Sequence, residues 1–255
     1  MSSAKLIKLF VIVMGLIILS SCVTVPYTPV KTPIVAPPPP HVFRQDIFHT
    51  VAPGETLWRI SKVYDVDIDD IMRANRLNKR TELTMGQRLL IPGAMPATSV
   101  IPLYPSNKWR YIIIHHSASE EGSALLFHRS HTNYRGFSRG LGYQFVIDNG
   151  SYEKPEGYIE VSPRWIKQQD GAHCKASGMN HKAIGICLVG NFSKEDVSDK
   201  QLSSLVYLVN ILKRYYNIPQ RNILGHGQVR GANTECPGKR FPWNKFFTQL
   251  RKMSD

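Results

Sequence analysis

An apolar run from Tyr111 to Ile114 ends in two adjacent histidines, His115 and His116. Three of its four residues are β-branched, which predicts a buried strand. Side chains alternate between the two faces of a strand, so only one histidine of the pair can point into a given site. Because the strand fixes its backbone, a histidine at this position is well placed to hold a metal. The pattern therefore predicts a strand that carries one candidate ligand at its end.

The C-terminal part of the chain, residues 107–255, alternates between helical and strand periodicity. Helices interleaved with several strands predict an α/β domain of packed layers. One helix is expected to open with a capping box at Ser198 and Gln201. One strand ends at Asn149-Gly150, which is a strong hairpin signal. The predicted helices span Ala124 to Asn133 and Ser198 to about Tyr216, and the predicted strands span Leu141 to Asp148, Ile184 to Val189 and Ile223 to Gly225.

A smaller globular segment, residues 48–93, has the order strand, helix, helix, strand. Thr56 is placed to cap the first helix, in which apolar residues recur at helical spacing. Pro92 is expected to close the last strand, because proline cannot donate to a β-ladder. The predicted elements are a strand at Ile47 to Val51, a helix after Thr56, a helix at Ile68 to Asn75 and a strand at Arg88 to Ile91.

The first 21 residues have the pattern of a targeting segment. Their apolar stretch, Leu6 to Leu19, is too short for a comfortable membrane-spanning helix, which needs about 20 apolar residues. The string Leu19-Ser20-Ser21-Cys22 resembles a bacterial lipobox, which implies cleavage before Cys22 and its lipidation. We therefore expect a membrane-anchored lipoprotein. The resemblance to bacterial lipoproteins implies that Val23, in place of aspartate, favours the outer membrane in an organism that has one, with the protein facing the periplasm. An uncleaved anchor with an incidental cysteine is the alternative.

Two linkers complete the predicted organisation. Residues 22–47 include seven prolines among the 15 residues from Pro26 to Pro40. Such a segment stays extended at about 3.1 Å per residue and cannot pack a core, so it predicts a tether. A ligand for a proline-binding domain is the alternative. Residues 94–106 form a second, shorter linker.

The net charge of the chain limits the classes of partner that it is expected to bind. The 255 residues carry a formal net charge of +13, and a basic balance favours nucleic acid, lipid head groups or an acidic polymer. Residues 107–255 hold 21 Lys/Arg against 12 Asp/Glu, whereas residues 49–94 hold 7 against 6. The C-terminal segment has no basic run interleaved with aromatic residues, which argues against nucleic acid. A merely solvated basic surface is the alternative for most of these lysines.

Two further residues could complete a metal site with His115. His226 also ends a short apolar stretch, and Cys236 follows ten residues later in a rigid Cys-Pro-Gly turn. Zinc binds neutral imidazole and thiolate, and a catalytic zinc keeps an open fourth position beside three protein ligands. The sequence separation is large, and lone buried histidines and cysteines are more often structural, so spacing alone leaves both interpretations open.

The segment 48–93 resembles a LysM domain through the strings HTVAPGETLWRIS, IMRANRLN and MGQRLLIP. The resemblance implies a small βααβ module that binds N-acetylglucosamine in peptidoglycan or chitin. Core packing is the alternative for the apolar side chains of its first helix. The sugar groove that the resemblance implies consists of Gly54, Glu55, Thr56, Leu57 and the loop from Asn75 to Asn78.

Four ordered strings between Trp109 and Phe247 resemble the type-2 N-acetylmuramoyl-L-alanine amidases, which include phage amidases and animal peptidoglycan recognition proteins. They are IIIHHSA, LGYQFVIDNG, GAHCKASGMNHKAIGICLVGNF and GHGQVRGANTECPG. The resemblance implies a central mixed β-sheet flanked by helices. It implies one zinc ion bound by His115, His226 and Cys236, and Tyr143 as the catalytic tyrosine.

Other residues follow less directly from the resemblance. Phage enzymes have lysine two residues before the cysteine ligand and many recognition proteins have threonine; this chain has Thr234, a candidate donor to the transition state. His173 lies in a family string, so we expect it to contact substrate. His116 should face away from the metal. A disulfide between Cys174 and Cys187 is an open alternative to buried thiols.

These features together favour a lipid-anchored zinc amidase that cuts between the lactyl group of muramic acid and L-Ala. Its expected partners are the peptidoglycan glycan at the LysM domain, the stem peptide at the amidase domain and a membrane at the lipid anchor; an oligomer is not expected. Recognition proteins without hydrolase activity commonly lack the cysteine ligand, which this chain retains. The alternatives are a non-hydrolytic lipoprotein that tethers the wall, and an amidase that acts on other acyl-amino acid bonds.

Overall fold

The computed structural model describes residues 43–253. The targeting segment, the lipidation candidate Cys22 and most of the proline tether lie outside these described residues. Among residues 43–253, no helix combines the length and the apolar character that crossing a membrane requires.

The small domain has the predicted order of elements. Strand β1 (Gln45–Thr50) is followed by helix α1 (Leu57–Tyr64), helix α2 (Ile68–Ala74) and strand β2 (Arg88–Ala94). The two strands pair antiparallel, and the two helices pack on them around a separate apolar core. The Thr56 hydroxyl accepts a hydrogen bond from the amide of Arg59, which confirms the predicted cap.

The large domain is built on a five-stranded mixed sheet flanked by helices, as expected. Four strands are parallel to their neighbours, and the edge strand β5 runs antiparallel to β4. The order across the sheet is β5-β4-β6-β3-β7. The strands are β3 (Tyr111–His116), β4 (Phe145–Ile147), β5 (Ile159–Val161), β6 (Ala183–Leu188) and β7 (Ile223–Gly225).

Five α-helices complete the large domain in the part of the chain that the structure describes. Helix α6 buries its predicted stripe of leucine and valine side chains in the main core, and α7 packs beside it. Each fully buried side chain of this kind contributes roughly 1.5–3 kcal/mol, against about 1 kcal/mol for a helix cap. Packing on the sheet therefore outweighs local capping. The helices are α3 (Ala124–Arg135), α4 (Pro163–Ile166), α5 (Met179–Lys182), α6 (Asp199–Tyr215) and α7 (Trp243–Lys252).

Two strand predictions were wrong in detail. Strand β2 does not stop at Pro92 but continues to Ala94, across a register shift in its pairing with β1. Among residues 43–253 this sheet has two strands, so each has a free edge where proline needs no ladder partner. Strands β4 and β5 do pair antiparallel, but residues 148–158 connect them in place of a tight turn at Asn149-Gly150.

The predicted capping box on α6 forms only in part. The amide of Gln201 donates to the Ser198 hydroxyl at 3.1 Å. The side-chain amide of Gln201 donates instead to the carbonyls of Ile147 and Val189 at the ends of two strands. The helix start is therefore tied to the sheet as well as capped.

The long connection between β4 and β5 joins the two domains. Tyr158 from this connection packs into the apolar core of the small domain. Lys154, only 5% exposed, donates to the carbonyl of Thr50 at 2.7 Å and lies 3.0 Å from Nε2 of His49. From the small domain, Arg59 donates to the carbonyl of Ile159 at 3.2 Å. Residues of this long connection thus make the contacts with the small domain that a tight turn between β4 and β5 could not make.

Candidate active site

Neighbouring strands bring the two distant histidines together. Strands β3 and β7 are parallel, and Ile114 lies opposite Gly225 in their register. The next residues along the chain are His115, still within β3, and His226, directly after β7, so the two lie side by side at the same edge of the sheet. Their ring centroids are 4.7 Å apart. Parallel pairing thus accounts for a contact across more than a hundred residues.

Cys236 joins the two histidines from a turn. The amide of Gly227 donates to the carbonyl of Cys236 at 2.7 Å, which holds this turn against the segment that carries His226. The Cys236 Sγ lies 3.6 Å from Nδ1 of His115 and accepts a hydrogen bond from the amide of His116 at 3.4 Å. One ligand atom from each of His115, His226 and Cys236 lies within 4.8 Å of the others. The three side chains could hold a single metal ion.

Burial shifts the pKa of all three candidate ligands. It lowers the pKa of His115 well below its usual range and also lowers the pKa of His226, so both imidazoles stay neutral. Burial raises the pKa of the Cys236 thiol to about 12. Without a cation the thiol therefore stays protonated, and metal binding would release its proton. Two neutral imidazoles and one thiol form a donor set that suits zinc, so the residues fit the expected ion.

His116 lies on the other face of β3, as predicted. Its Nδ1 accepts a hydrogen bond from the amide of Phe192 at 3.1 Å, and the two rings are 6.1 Å apart. The His116 side chain therefore holds the loop that contains Phe192, while its backbone amide contacts the Cys236 sulfur.

Tyr143 lies beside the candidate metal site, just before β4. Its ring centroid is 5.1 Å from that of His115. Burial, together with the nearby Cys187 and Cys236 thiols, raises the pKa of Tyr143 well above its usual range. The phenol therefore keeps its proton and can serve as a hydrogen-bond donor.

Thr234 lies at the exposed rim of the site. Its hydroxyl accepts a hydrogen bond from the amide of Cys236 at 3.2 Å. Accepting this bond leaves the hydroxyl proton free to be donated. Thr234 thus shapes the turn that carries the cysteine, and its position is compatible with the expected donor role.

His173 is not at the open side of the site, where we expected it to contact substrate. Its ring is buried behind His115, with Nδ1 3.0 Å from Nε2 of His115. Burial lowers the pKa of His173 to about 3. The His173 ring therefore packs against the candidate ligand His115.

The thiols of Cys174 and Cys187 are both free and buried, so no disulfide joins them. Cys187 lies opposite His115 in the pairing of β3 with β6, which explains its proximity to Tyr143. From the sequence, Cys187 was expected to be either a buried thiol or a disulfide partner of Cys174, and it is a buried thiol.

His131, for which the sequence predicted only a surface or core position, is buried beside Tyr143. Its Nδ1 accepts a hydrogen bond from the amide of Gly142 at 3.0 Å, and its ring lies 5.7 Å from that of Tyr143. Burial and nearby arginines lower its pKa to about 4, so the ring is neutral and can accept this bond. His128, one helical turn earlier, similarly accepts from the amide of Leu141 at 3.4 Å. Their spacing on one helix face was a signal for a shared role.

Some of the amino acids of the small domain that are expected to bind sugar are exposed, and others are buried. Gly54 and Thr56 are exposed, whereas Leu57 is 1% exposed and packs in the core. The Glu55 carboxylate accepts from the amide of Ala52 and contacts His49, each at 2.8 Å. The Glu55 carboxylate is therefore engaged by groups inside the protein, away from the expected sugar groove.

Asn75 is also committed to the fold. Its side-chain amide donates to the carbonyls of Ile71 and Leu90, and its side-chain carbonyl accepts from the amide of Leu90, each at 2.7 Å. These bonds join α2 to β2 and leave Asn75 few free polar positions for a sugar.

An open cleft lies beside the exposed part of the expected groove. Trp58 is 56% exposed at this cleft, although the preceding and following apolar positions of α1 are buried. An exposed tryptophan face can stack on a sugar ring, and the sequence left this role of Trp58 open beside core packing. The cleft is lined by Glu55, Thr56, Leu57, Trp58, Ile68, Arg80, Thr81 and Leu83.

Comparison with protein families gives two matches. Residues 105–239 match the family described as N-acetylmuramoyl-L-alanine amidase. Residues 49–92 match the LysM domain. These ranges fall within the two segments that the structure folds around separate cores.

Similar proteins are found among curated sequences and solved structures. Peptidoglycan-recognition protein SC2 of Drosophila melanogaster is 30% identical over 164 residues, covering 61% of this chain and 81% of that protein. N-acetylmuramoyl-L-alanine amidase LysC from Clostridium intestinale has 31% identity and a TM-score of 0.47, covering 60% of this chain and 95% of that one. Wild-type Drosophila PGRP-LB has 26% identity and a TM-score of 0.41, covering 58% and 80%.

Proposed function

This chain belongs to the N-acetylmuramoyl-L-alanine amidase family, and we propose that it is an active, zinc-dependent hydrolase of peptidoglycan. The bond cut is the amide between the lactyl group of muramic acid and L-Ala. The observation that carries this proposal is the convergence of His115, His226 and Cys236 at one strand edge, with all three ligand atoms within 4.8 Å. A LysM domain on the same chain supports a polymeric wall substrate.

The residues around this site have distinct tasks in the proposed reaction. A zinc ion held there would supply a Lewis acid for the scissile carbonyl and lower the pKa of a water molecule. The protonated phenol of Tyr143 would donate to the negative charge that develops on the carbonyl oxygen. The Thr234 hydroxyl, at the rim, would provide a second donor. Burial of Tyr143 strengthens such a contact, because water competes less for it.

A non-hydrolytic protein that binds or tethers peptidoglycan is the second candidate. Peptidoglycan-recognition protein SC2 bears the name of a recognition protein, which favours this alternative. The complete set of three ligand atoms favours catalysis instead.

Product analysis on purified sacculi tests the proposal. The zinc-loaded full-length chain should release stem peptides with a free L-Ala amino terminus and leave intact lactyl groups on the glycan. Chelation of the metal should stop the release. A protein that holds one zinc ion, binds sacculi and yet releases no such peptide would exclude the hydrolase and favour the tethering role. Mass spectrometry would also identify cleavage of a different acyl-amino acid bond.

We expect Tyr143→Phe to lower turnover by roughly 10²–10³-fold, as loss of one oxyanion donor does. The phenol contributes a proton donor, while the ring fills space beside His115, so phenylalanine should preserve the fold and the metal. Zinc content and the initial rate on sacculi provide the measurement. Unchanged turnover at full zinc occupancy would remove Tyr143 from the mechanism.

We also propose that the chain is a lipoprotein of the outer membrane, anchored through Cys22. The Leu-Ser-Ser-Cys string and the proline-rich tether support this proposal. Cys22→Ser should abolish incorporation of labelled palmitate and shift the protein out of the membrane fraction. Membrane association that persists without the label would favour an uncleaved N-terminal anchor.

A further inference from the structure

We propose that His173 is a positioning residue that holds His115 in the tautomer whose Nδ1 lone pair faces the metal site. The inference rests on the proposed zinc site and adds a residue behind the three ligands. It assigns to His173 a role that involves no contact with substrate.

The direction of each hydrogen bond follows from the last acceptor in the chain of contacts. Nε2 of His173 lies 3.4 Å from the carbonyl of Ala183, and a carbonyl can only accept. The proton of a neutral His173 ring therefore resides on Nε2, and its Nδ1 must accept. Nδ1 lies 3.0 Å from Nε2 of His115, so His115 carries its proton on Nε2. Nδ1 of His115 is then a free lone pair, and it is the atom that lies 3.6 Å from the Cys236 sulfur.

The surrounding backbone holds the His173 ring in a narrow slot. A Cβ atom on Gly185 would lie 2.4 Å from the ring, and one on Gly171 would lie 2.3 Å from it. Real Cβ atoms essentially never approach so closely, so both walls of the slot require glycine. The Asn180 side chain accepts from the amides of His173 and Cys174 at 2.9 and 2.8 Å, which fixes the loop that carries the ring.

Such a slot suits a positioning role better than simple packing. An apolar side chain could fill the space, but it would leave the Nε2 proton of His115 buried without an acceptor. That unpaired proton would favour the other tautomer, which places N–H where the ligand lone pair is needed. Partners of this kind typically change metal affinity by 10–100-fold.

Asparagine and leucine provide a matched pair of variants at this position. They have nearly the same shape, but only the side-chain oxygen of asparagine can accept near the place of the imidazole Nδ1. Zinc affinity of the full-length chain would be measured by competition with a chromogenic chelator. We expect His173→Leu to weaken zinc binding by about 10–100-fold and His173→Asn to stay much closer to wild type. Equal affinities of the two variants would overturn the proposal, whether both lose zinc or both retain it.

A second measurement avoids the variants altogether. Nitrogen-15 chemical shifts of the histidine rings in the metal-free full-length chain distinguish a protonated from an unprotonated nitrogen. We expect His115 to be protonated at Nε2 and unprotonated at Nδ1; the opposite pattern would overturn the assignment. Neither experiment depends on hydrolysis. A chain that binds zinc as expected but cuts no peptidoglycan would contradict the proposed function alone.

Discussion

Replacing Cys236 with alanine should remove zinc and reduce hydrolysis of sacculi to background. The change deletes one of three ligand atoms and leaves two neutral imidazoles, His115 and His226. Loss of a partner behind a ligand already costs roughly 10–100-fold in metal affinity, so loss of the ligand itself should cost more. Zinc content after dialysis and release of stem peptides would be measured on the same preparation.

Cys174→Ala is the matched control for this change. Cys174 is also a buried free thiol of the large domain, but it does not belong to the set of three ligand atoms. It should keep zinc and activity near wild type. Binding of both variants to sacculi should persist, because the LysM cleft is built from other residues. Wild-type activity of Cys236→Ala would contradict the ligand assignment.

Replacing Lys154 with methionine should lower the free energy of unfolding by about 3–5 kcal/mol, as removal of one partner of a buried ion pair does. The ammonium group is buried between the two domains, 4.0 Å from the Glu55 carboxylate, and donates to the carbonyl of Thr50. Methionine keeps much of the volume but leaves Glu55 with one cation fewer. Urea denaturation provides the measurement. The exposed Lys194→Met should change stability by less than about 0.5 kcal/mol.

Lowering the pH should reduce the difference in free energy of unfolding between Lys154→Met and wild type. Burial raises the pKa of Glu55, but His49, Lys154 and the Ala52 amide outweigh it and lower the pKa from 4.5 to about 2. A depressed folded-state pKa adds stability above the unfolded value and loses it as pH falls. Wild type should therefore lose roughly 3 kcal/mol from this group between pH 4.5 and 2.

The Lys154→Met variant should lose less stability between pH 4.5 and 2, because without Lys154 the pKa of Glu55 in the folded protein is higher. Asp148 and Glu160 also face Lys154, and burial raises the pKa of each. Losing Lys154 raises these pKa values further, which narrows the difference in the same direction. A difference that stays constant from pH 5 to pH 2 would show that Lys154 acts through packing and not through its charge.

Local chemistry alone determined much of this protein. The Thr56 cap, the apolar stripe of α6 and the buried strand at Tyr111 to Ile114 each follow from side-chain spacing, and each is present. Alternation along β3 was enough to separate the faces of His115 and His116. The ordered strings predicted the mixed sheet and the LysM fold.

Only the tertiary structure decided which side chains remain available for function. Leu57 and Asn75 lie in strings typical of a sugar groove, yet one is core and the other joins α2 to β2. His173 lies in an amidase string, yet its ring packs behind His115, because Gly171 and Gly185 open a slot there. Such outcomes depend on atoms distant in the chain, which no local pattern records.

The sequence by itself therefore determined the order of most elements, while the candidate ligands followed from the resemblance of its strings to the amidases. Their meeting was decided by the pairing of β3 with β7, which places His115 beside His226, and by the turn that adds Cys236. The contacts between the two domains were also decided only by the tertiary structure. A lysine in a polar loop gives no local sign of burial. Its neighbours Thr50, His49 and Glu55, which are distant in the chain, help to make that burial favourable.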